Sequence, residues 1–262
     1  MREKRNGRRR SPLHVAALSA ALALAVVFGS VSAACGKKSV TGESAVIFLV
    51  RHGQTDANAG NILQGGGSDA PLSEEGKETV SELGKALASI KFDHAYSSGL
   101  GRAKTTAQMI LDENQAGSVT TATPLKDLND IDFGDAENLP FAEVGQKYGP
   151  VDIDRYIGNA DDPEAESVTG GETKYQFCRR FSEGIDQILA ECCDHGDGGT
   201  ILVTAHSSAA YYLQQKFPEE TIGSLNNASV TVIRISGGKW SLLDLNDTDY
   251  ASLPEKINQM EV

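Results

Sequence analysis

The sequence predicts an α/β fold of three layers, a mostly parallel central sheet with helices on both faces. Three observations point to it. Strand and helix patterns alternate from residue 45 to 245, the strands are short and nearly all apolar, and each helix gathers its apolar residues on one stripe.

In chain order, AVIFLV (45–50) contains the first strand, over 46–50. Ser73 is placed to cap a helix over 74–90, whose Val80, Leu83, Leu87 and Ile90 repeat at helical spacing. FDHAYSS (92–98) is a second strand. Ser97 or Ser98 then caps a helix over 100–113 carrying Leu100, Ala103, Ala107 and Ile110. A long helix over 172–193 aligns Cys178, Phe181, Ile185, Ile188 and Cys192. The turn DHGDGG leads into the strand TILVTA (200–205), followed by a helix through Tyr211–Lys216. SVTVIRI (229–235) and KWSLLDL (239–245), separated by Ser236-Gly237-Gly238, read as a closing hairpin that includes Trp240.

Two segments stand outside this alternation. Residues 130–172 hold twelve Asp/Glu against Lys147 and Arg155 and have weak periodicity. They form an acidic excursion, read either as a solvated surface loop or as a partial lid. Residues 1–35 have the three-part form of an export signal: a basic start, the apolar stretch VAALSAALALAVVF and then small residues. Ser32-Ala33-Ala34-Cys35 resembles a lipobox with Cys35 as the lipidation site, although Ser32 stands where an aliphatic residue is usual. Ordinary cleavage near Ala34 and an uncleaved anchor are the other readings. Residues 36–44 form a flexible tether, and 45–262 the folded domain. The expected location is extracytoplasmic, anchored at the outer face of a bacterial cell membrane or secreted.

Charge narrows the partners. Residues 1–10 carry six Arg/Lys and one Glu, net +5, so the rest must carry −17 to reach the overall −12. An acidic body excludes a broad nucleic-acid footprint, so any anion must be held by a few local cations. The cysteines do not form a disulfide framework. Cys178 and Cys192 lie about 21 Å apart along one helix, whereas a disulfide needs Cα atoms within roughly 7 Å. They read as small buried residues, with Cys193 beside them. No cysteine or histidine cluster has metal-ligand spacing, and no cofactor is implied.

The chemistry sits at strand ends, where open α/β sheets bind ligands. Arg51-His52-Gly53 follows the first strand, His206 follows TILVTA, and Arg102 lies in the first turn after Tyr96. Two arginines and two histidines thus meet at one rim. Arginine grips phosphate oxygens with a planar fork of donors, and helix N-termini near Arg102 and after His206 would add amides. A neutral imidazole is a nucleophile at neutral pH, and nearby positive charge keeps it unprotonated. Gly53 lets the chain turn away from the sheet.

The ordered blocks resemble the histidine phosphatase superfamily, also called phosphoglycerate mutase-like. Leu49-Val50-Arg51-His52-Gly53-Gln54-Thr55 with Asn58 matches its opening signature. Gln64-Gly65, Asp69, Pro71-Leu72-Ser73 and Gly76 follow in register. Tyr96-Ser97-Ser98-Gly99-Leu100-Gly101-Arg102 matches the second arginine block. Leu128-Asn129-Asp130-Ile131-Asp132-Phe133-Gly134, Gly170-Gly171-Glu172 and Ile201 to His206 complete a resemblance over residues 46–235.

The resemblance implies a phosphomonoester hydrolase that uses His52 as nucleophile. Arg51, Arg102 and His206 would hold phosphate oxygens and Asn58 would add a donor, with no metal and no cofactor. Asp130 would be the general acid and base, with Asp132 and Glu137 as rivals. Thr55, Gln64, Gly65 and Ser207 are candidates for the pocket wall. The sequence departs from the family where Asp130 replaces Glu, where Ala136-Glu137-Asn138 replaces Trp-Glu-Gly, and where Ser207-Ser208 replaces Gly. Those departures motivate an alternative: a phosphate-binding sensor with little turnover. A mutase and a phytase-like enzyme fit less well. The expected partners are a small phosphorylated substrate and the membrane. Replacing Cys35→Ser is expected to move the protein from the membrane fraction to the soluble fraction, and retention in the membrane would exclude lipidation at Cys35.

Overall fold

The central strand, β1 (Ser44–Arg51), is apolar on both sides, and its two faces seed two separate cores. The computed structural model describes residues 44–148, 162–164, 166–167, 169–193 and 199–260. The export signal with Cys35, the tether up to residue 43, the middle of the acidic excursion, the Cys193 side chain and the turn at 194–198 lie outside these residues.

Six strands form one sheet: β2 (His94–Ser98), β3 (Thr123–Leu125), β4 (Gly199–Ala205), β5 (Val230–Ser236) and β6 (Lys239–Asp247) join β1 in the order β3-β2-β4-β1-β5-β6. The four strands from β3 to β1 are parallel. β5 runs antiparallel to β1, and β6 antiparallel to β5. The sheet is therefore mixed, because the closing hairpin adds its two antiparallel pairings at one edge. β3 escapes sequence reading because it is three residues long and contains Pro124, which cannot donate to a ladder and is tolerated at a sheet edge.

Ala45, Ile47 and Leu49 point to one core and Val46, Phe48 and Val50 to the other, the alternation a strand imposes. On the second face lie α2 (Glu74–Ala86), α3 (Gly101–Glu113) and α7 (Leu253–Gln259), with Val80, Leu83, Ile110 and Ile257 buried. On the first lie α4 (Phe141–Tyr148), α5 (Lys174–Cys193) and α6 (Ala209–Lys216), with Val144, Phe177, Phe181, Ile185 and Leu213 buried. The three-layer α/β architecture is as the sequence predicts. Cys178 and Cys192 are buried on α5 and are not joined in a disulfide. Trp240 packs edge-on to Tyr212, 6.2 Å between centroids.

Helix ends differ from expectation for identifiable reasons. α2 stops at Ala86, short of Ile90, with Leu87 as its C-cap. α5 starts at Lys174, because Thr173 and Gln176 exchange the two hydrogen bonds of a capping box. Neither Ser97 nor Ser98 caps α3. Its N-cap is Leu100, and the amides of Gly101 and Arg102 donate to the Asp69 carboxylate from a distant loop. α4, α7 and the single-turn α1 (Asp56–Ala59), at eight, seven and four residues, are too short to be read in advance.

The described start of the acidic excursion is not a solvated loop. Asp130, Ile131, Phe133, Ala136 and Val144 are buried, and the last four join the core of the first face. The lid reading falls largely on residues outside those described.

Gly53 is needed for a close approach. Its φ is not positive, but a Cβ there would lie 2.5 Å from Val80 Cγ2 and 3.0 Å from the Gly76 carbonyl oxygen. Conversely, a Cβ on Gly76 would lie 2.1 Å from the Gln54 carbonyl oxygen. The N-terminus of α2 is thus pressed against the loop that leaves β1. Gly76→Ala is expected to destabilise the fold by about 1–3 kcal/mol through this overlap with backbone. An unchanged denaturant midpoint would show that the loop yields freely.

Candidate active site

The parallel register of β1 and β4 pairs Arg51 with Ala205, so His52 and His206 leave the sheet side by side. The His52 amide donates to the Ala205 carbonyl at 3.0 Å, and the two rings lie 5.2 Å apart, tilted by 59°. β2 lies on the other side of β4 with Ser97 opposite Thr204, which brings Ser98 Oγ within 2.8 Å of His206 Nε2. Two residues separated by more than 150 positions become neighbours through strand register alone.

His52 is 3% exposed and has a defined tautomer. Nδ1 lies 2.8 Å from its neighbour's carbonyl, Gly53 O, and so carries the proton. Nε2 presents its lone pair and accepts from Arg102 Nε at 3.3 Å. Burial, followed by His206, Arg51 and Arg102, pushes the His52 pKa well below 6.5. Burial, followed by Arg102 and Arg51, does the same to His206. Both imidazoles are neutral at neutral pH.

Arg102 is 1% exposed, and its guanidinium is saturated. Besides His52 it donates from Nη1 to Ser68 O (2.7 Å) and Asp69 Oδ1 (3.3 Å), and from Nη2 to Gly65 O (3.0 Å) and Asp130 Oδ2 (3.1 Å). Arg51 differs. Its Nη1 donates to Leu225 O, while its buried Nε has no partner. Burial lowers its pKa to about 10, with Asp130 opposing and Arg102 adding to the shift, so Arg51 is charged at neutral pH.

Asp130 Oδ1 accepts from the Ser208 hydroxyl at 2.5 Å and the Ile131 amide at 3.0 Å. Its Oδ2 lies 3.5 Å from His206 Nδ1, a buried atom with no hydrogen-bond partner. The rivals are placed elsewhere. Glu137 Oε1 accepts the amides of Gly67 and Phe133, and Asp132 Oδ1 accepts from Gly134, both outside the main cavity wall.

That cavity, about 1060 Å³, is lined by Arg51, His52, Asn58, Gln64, Asp130, Ser207 and Ser208 at one end. Asn58 Oδ1 is held by the Thr55 amide and by Asn227 Nδ2. Gln64 Oε1 accepts from the Thr55 hydroxyl at 2.9 Å, leaving its buried Nε2 unpartnered. Ser207 reaches the wall and bonds Ser224. Thr55, Gly65, Arg102 and His206 stand behind the wall. The α3 amides expected to face an anion are taken by Asp69, and those of Ala209, Ala210 and Tyr211 close on the carbonyls of 206–208.

Sequence reasoning missed four supporting residues. Asn227 ties His52 O to Asn58, Ser98 holds His206, and Ser208 holds Asp130. Arg180, paired with Glu172 at 2.7 Å, donates to the carbonyls of Lys126, Asp127, Asn129 and Asp130 and so clamps the backbone that carries Asp130. None has a local pattern, although the Ser207-Ser208 departure flags the last hydroxyl. Among the described residues, no group of three or more His, Cys, Asp or Glu is placed to hold a metal ion.

Comparison with known proteins agrees with this geometry. Residues 47–248 match the family model of the histidine phosphatase superfamily (branch 1). A 2,3-bisphosphoglycerate-dependent phosphoglycerate mutase of Cytophaga hutchinsonii is 31% identical, over 80% of this chain and 95% of that protein. The fructose-2,6-bisphosphatase TIGAR of Xenopus tropicalis is 38% identical, over 82% and 81%. A crystal structure of phosphoglycerate mutase from Bacillus anthracis superposes with a TM-score of 0.69 at 27% identity, covering 82% of this chain and 99% of that one. The model match spans most of the chain and takes in the rim from His52 to His206: the chain belongs to the histidine phosphatase superfamily, branch 1.

Proposed function

We propose that the protein hydrolyses phosphomonoesters through a phosphohistidine on His52 Nε2. The supporting observation is a buried imidazole that lines a cavity with its proton on Nδ1, its Nε2 lone pair meeting only Arg102 Nε, beside three unpartnered polar atoms, Arg51 Nε, Gln64 Nε2 and His206 Nδ1. Buried polar atoms are normally satisfied, and a tetrahedral oxyanion supplies the acceptors that Arg51 Nε and Gln64 Nε2 lack. His206 Nδ1 joins them as a donor when that ring is protonated there.

In the proposed first step Nε2 attacks phosphorus, the phosphorus–oxygen bond to the alcohol breaks, and Asp130 gives the leaving oxygen a proton. In the second, water attacks phosphorus, its proton passes to Asp130, and the phosphorus–nitrogen bond breaks. Arg51 compensates the phosphoryl charge directly. Arg102 does so from behind His52, and reaches an oxygen by exchanging one of its present acceptors. With that charge held by protein cations, the reading is metal-independent and needs no cofactor. The named relatives include a mutase and a bisphosphatase; the export signal favours hydrolysis, since an exported enzyme would lack the glycolytic substrate pool that a mutase draws on. Export and anchoring through Cys35 belong to this proposal. A second reading, a phosphate sensor, is favoured by the saturation of Arg102 and the capture of Asp130 by Ser208. Tight vanadate binding without turnover would establish it.

His52→Ala is expected to lower kcat/KM for an aryl phosphate in EDTA by at least about 10³-fold, and retained activity would exclude His52 as nucleophile. A lowered pKa keeps His52 in its reactive neutral form as pH falls through 6.5, so kcat/KM, corrected for substrate ionisation, should hold level there. An acid limb centred near 6.5 would contradict the buried site. By linkage, the unfolded histidines bind protons below 6.5 that the folded ones do not, so the histidines' contribution to stability is intact above that pH and declines below it.

Asp130→Asn should cost about 10²–10⁴-fold on an alkyl phosphate, whose alkoxide needs a proton, and much less on a nitrophenyl phosphate. Equal losses on both would move the acid to another residue.

A further inference from the structure

The cavity is far larger than a phosphoryl group, and the rest of its wall differs from its phosphate end. At about 1060 Å³ it stands at the upper end of the range for drug-sized ligands, roughly 300–1,000 Å³. Past Arg51 and His52 the wall is built from Ile62, Leu63, Phe133, Phe141, Tyr211 and Ile222. Phe141 is 38% exposed, the large apolar side chain most open to water among the described residues.

The polar groups on this wall are largely committed to the protein. Gln214 Nε2 donates to the carbonyls of Phe217 and Glu220, and its Oε1 accepts the Ile222 amide, so it builds the loop that carries Ile222. Ser224 is bonded to Ser207. The sequence contains 36 Asp/Glu, yet this part of the lining has none, and its charged residue is Lys174, which lies 4.6 Å from the Tyr211 ring centroid. Such a surface can bury a broad apolar face. It offers few groups to a ring of hydroxyls, and Lys174 opposes a cation.

Building on the phosphomonoesterase reading, we propose that the alcohol half of the substrate is a bulky, mainly apolar, ring-bearing group, uncharged or anionic. A small polyol or a sugar would leave its hydroxyls desolvated against Phe133, Tyr211 and Ile222, which costs more than the contact returns. An aromatic or branched alicyclic alcohol gains by the same contact.

The test compares two primary alkyl monoesters with equally demanding leaving groups, naphthylethyl phosphate and glycerol phosphate. The wild type is expected to favour the first by about tenfold or more in kcat/KM. His52→Ala, which cannot turn either over, should bind naphthylethyl phosphate more tightly by calorimetry. Phe141→Ser, on an exposed position that tolerates polar residues, should lower the preference by about threefold or more through the naphthyl ester alone. Tyr211→Ala repeats the test at a second position on the wall. Equal treatment of the two esters, a preference for glycerol phosphate, or a preference that survives both wall variants would overturn the inference. If the wild type hydrolyses neither ester, the hydrolase reading fails, and the calorimetric comparison still decides the inference: tighter naphthylethyl binding upholds it, and equal or absent binding overturns it.

Discussion

The whole rim depends on the burial of one guanidinium. Arg102 is enclosed at the start of α3, and its donors reach His52, the carbonyls of Gly65 and Ser68, and the carboxylates of Asp69 and Asp130. A buried charge costs several kcal/mol unless paired and fully hydrogen-bonded, so these loops have little freedom to sit elsewhere. Asp69 also caps α3, which joins helix and guanidinium in one electrostatic unit. The same charge beside His52 helps keep the imidazole neutral.

Strand register supplies the second constraint. The β1–β4 pairing sets His52 beside His206 through backbone hydrogen bonds that no side-chain substitution at the rim removes. Asp130 lacks such support, because it sits on a segment outside the sheet. Its position comes instead from Arg180, which gathers the carbonyls of Lys126, Asp127, Asn129 and Asp130 while its own charge is met by Glu172. The nucleophile is thus positioned by the sheet, and the carboxylate by a clamp reaching from α5.

Legibility in the sequence followed the range of the forces involved. Strands and long helices were readable because alternation and helical spacing are local consequences of facing a core, as Val46–Phe48–Val50 and Phe181–Ile185–Ile188 show. β3 and α4 were not, since three residues with a proline, or eight residues inside an acidic, turn-rich stretch, are too short for a pattern to stand out. At the site, Arg51, His52, Arg102 and His206 stood out because they sit at strand ends inside ordered motifs. Asn227, Ser98 and Arg180 did not, because each acts on a partner distant in the chain. The cap of α3 shows the limit most plainly: two serines stand nearby, and a distant aspartate does the work.

The sequence by itself determined the α/β class, the family resemblance and the four residues that face or flank the candidate nucleophilic centre. Those follow from local hydrophobic periodicity and from motifs whose spacing is kept by short turns. Only the tertiary structure decided that the sheet is mixed, that Gly53 serves a close approach, that Arg102 is saturated while Arg51 keeps an unmatched donor, and that the far wall of the cavity is apolar. These depend on which side chains meet after the chain has closed on itself. Burial and hydrogen-bond satisfaction are properties of that packing, and no stretch of sequence contains them.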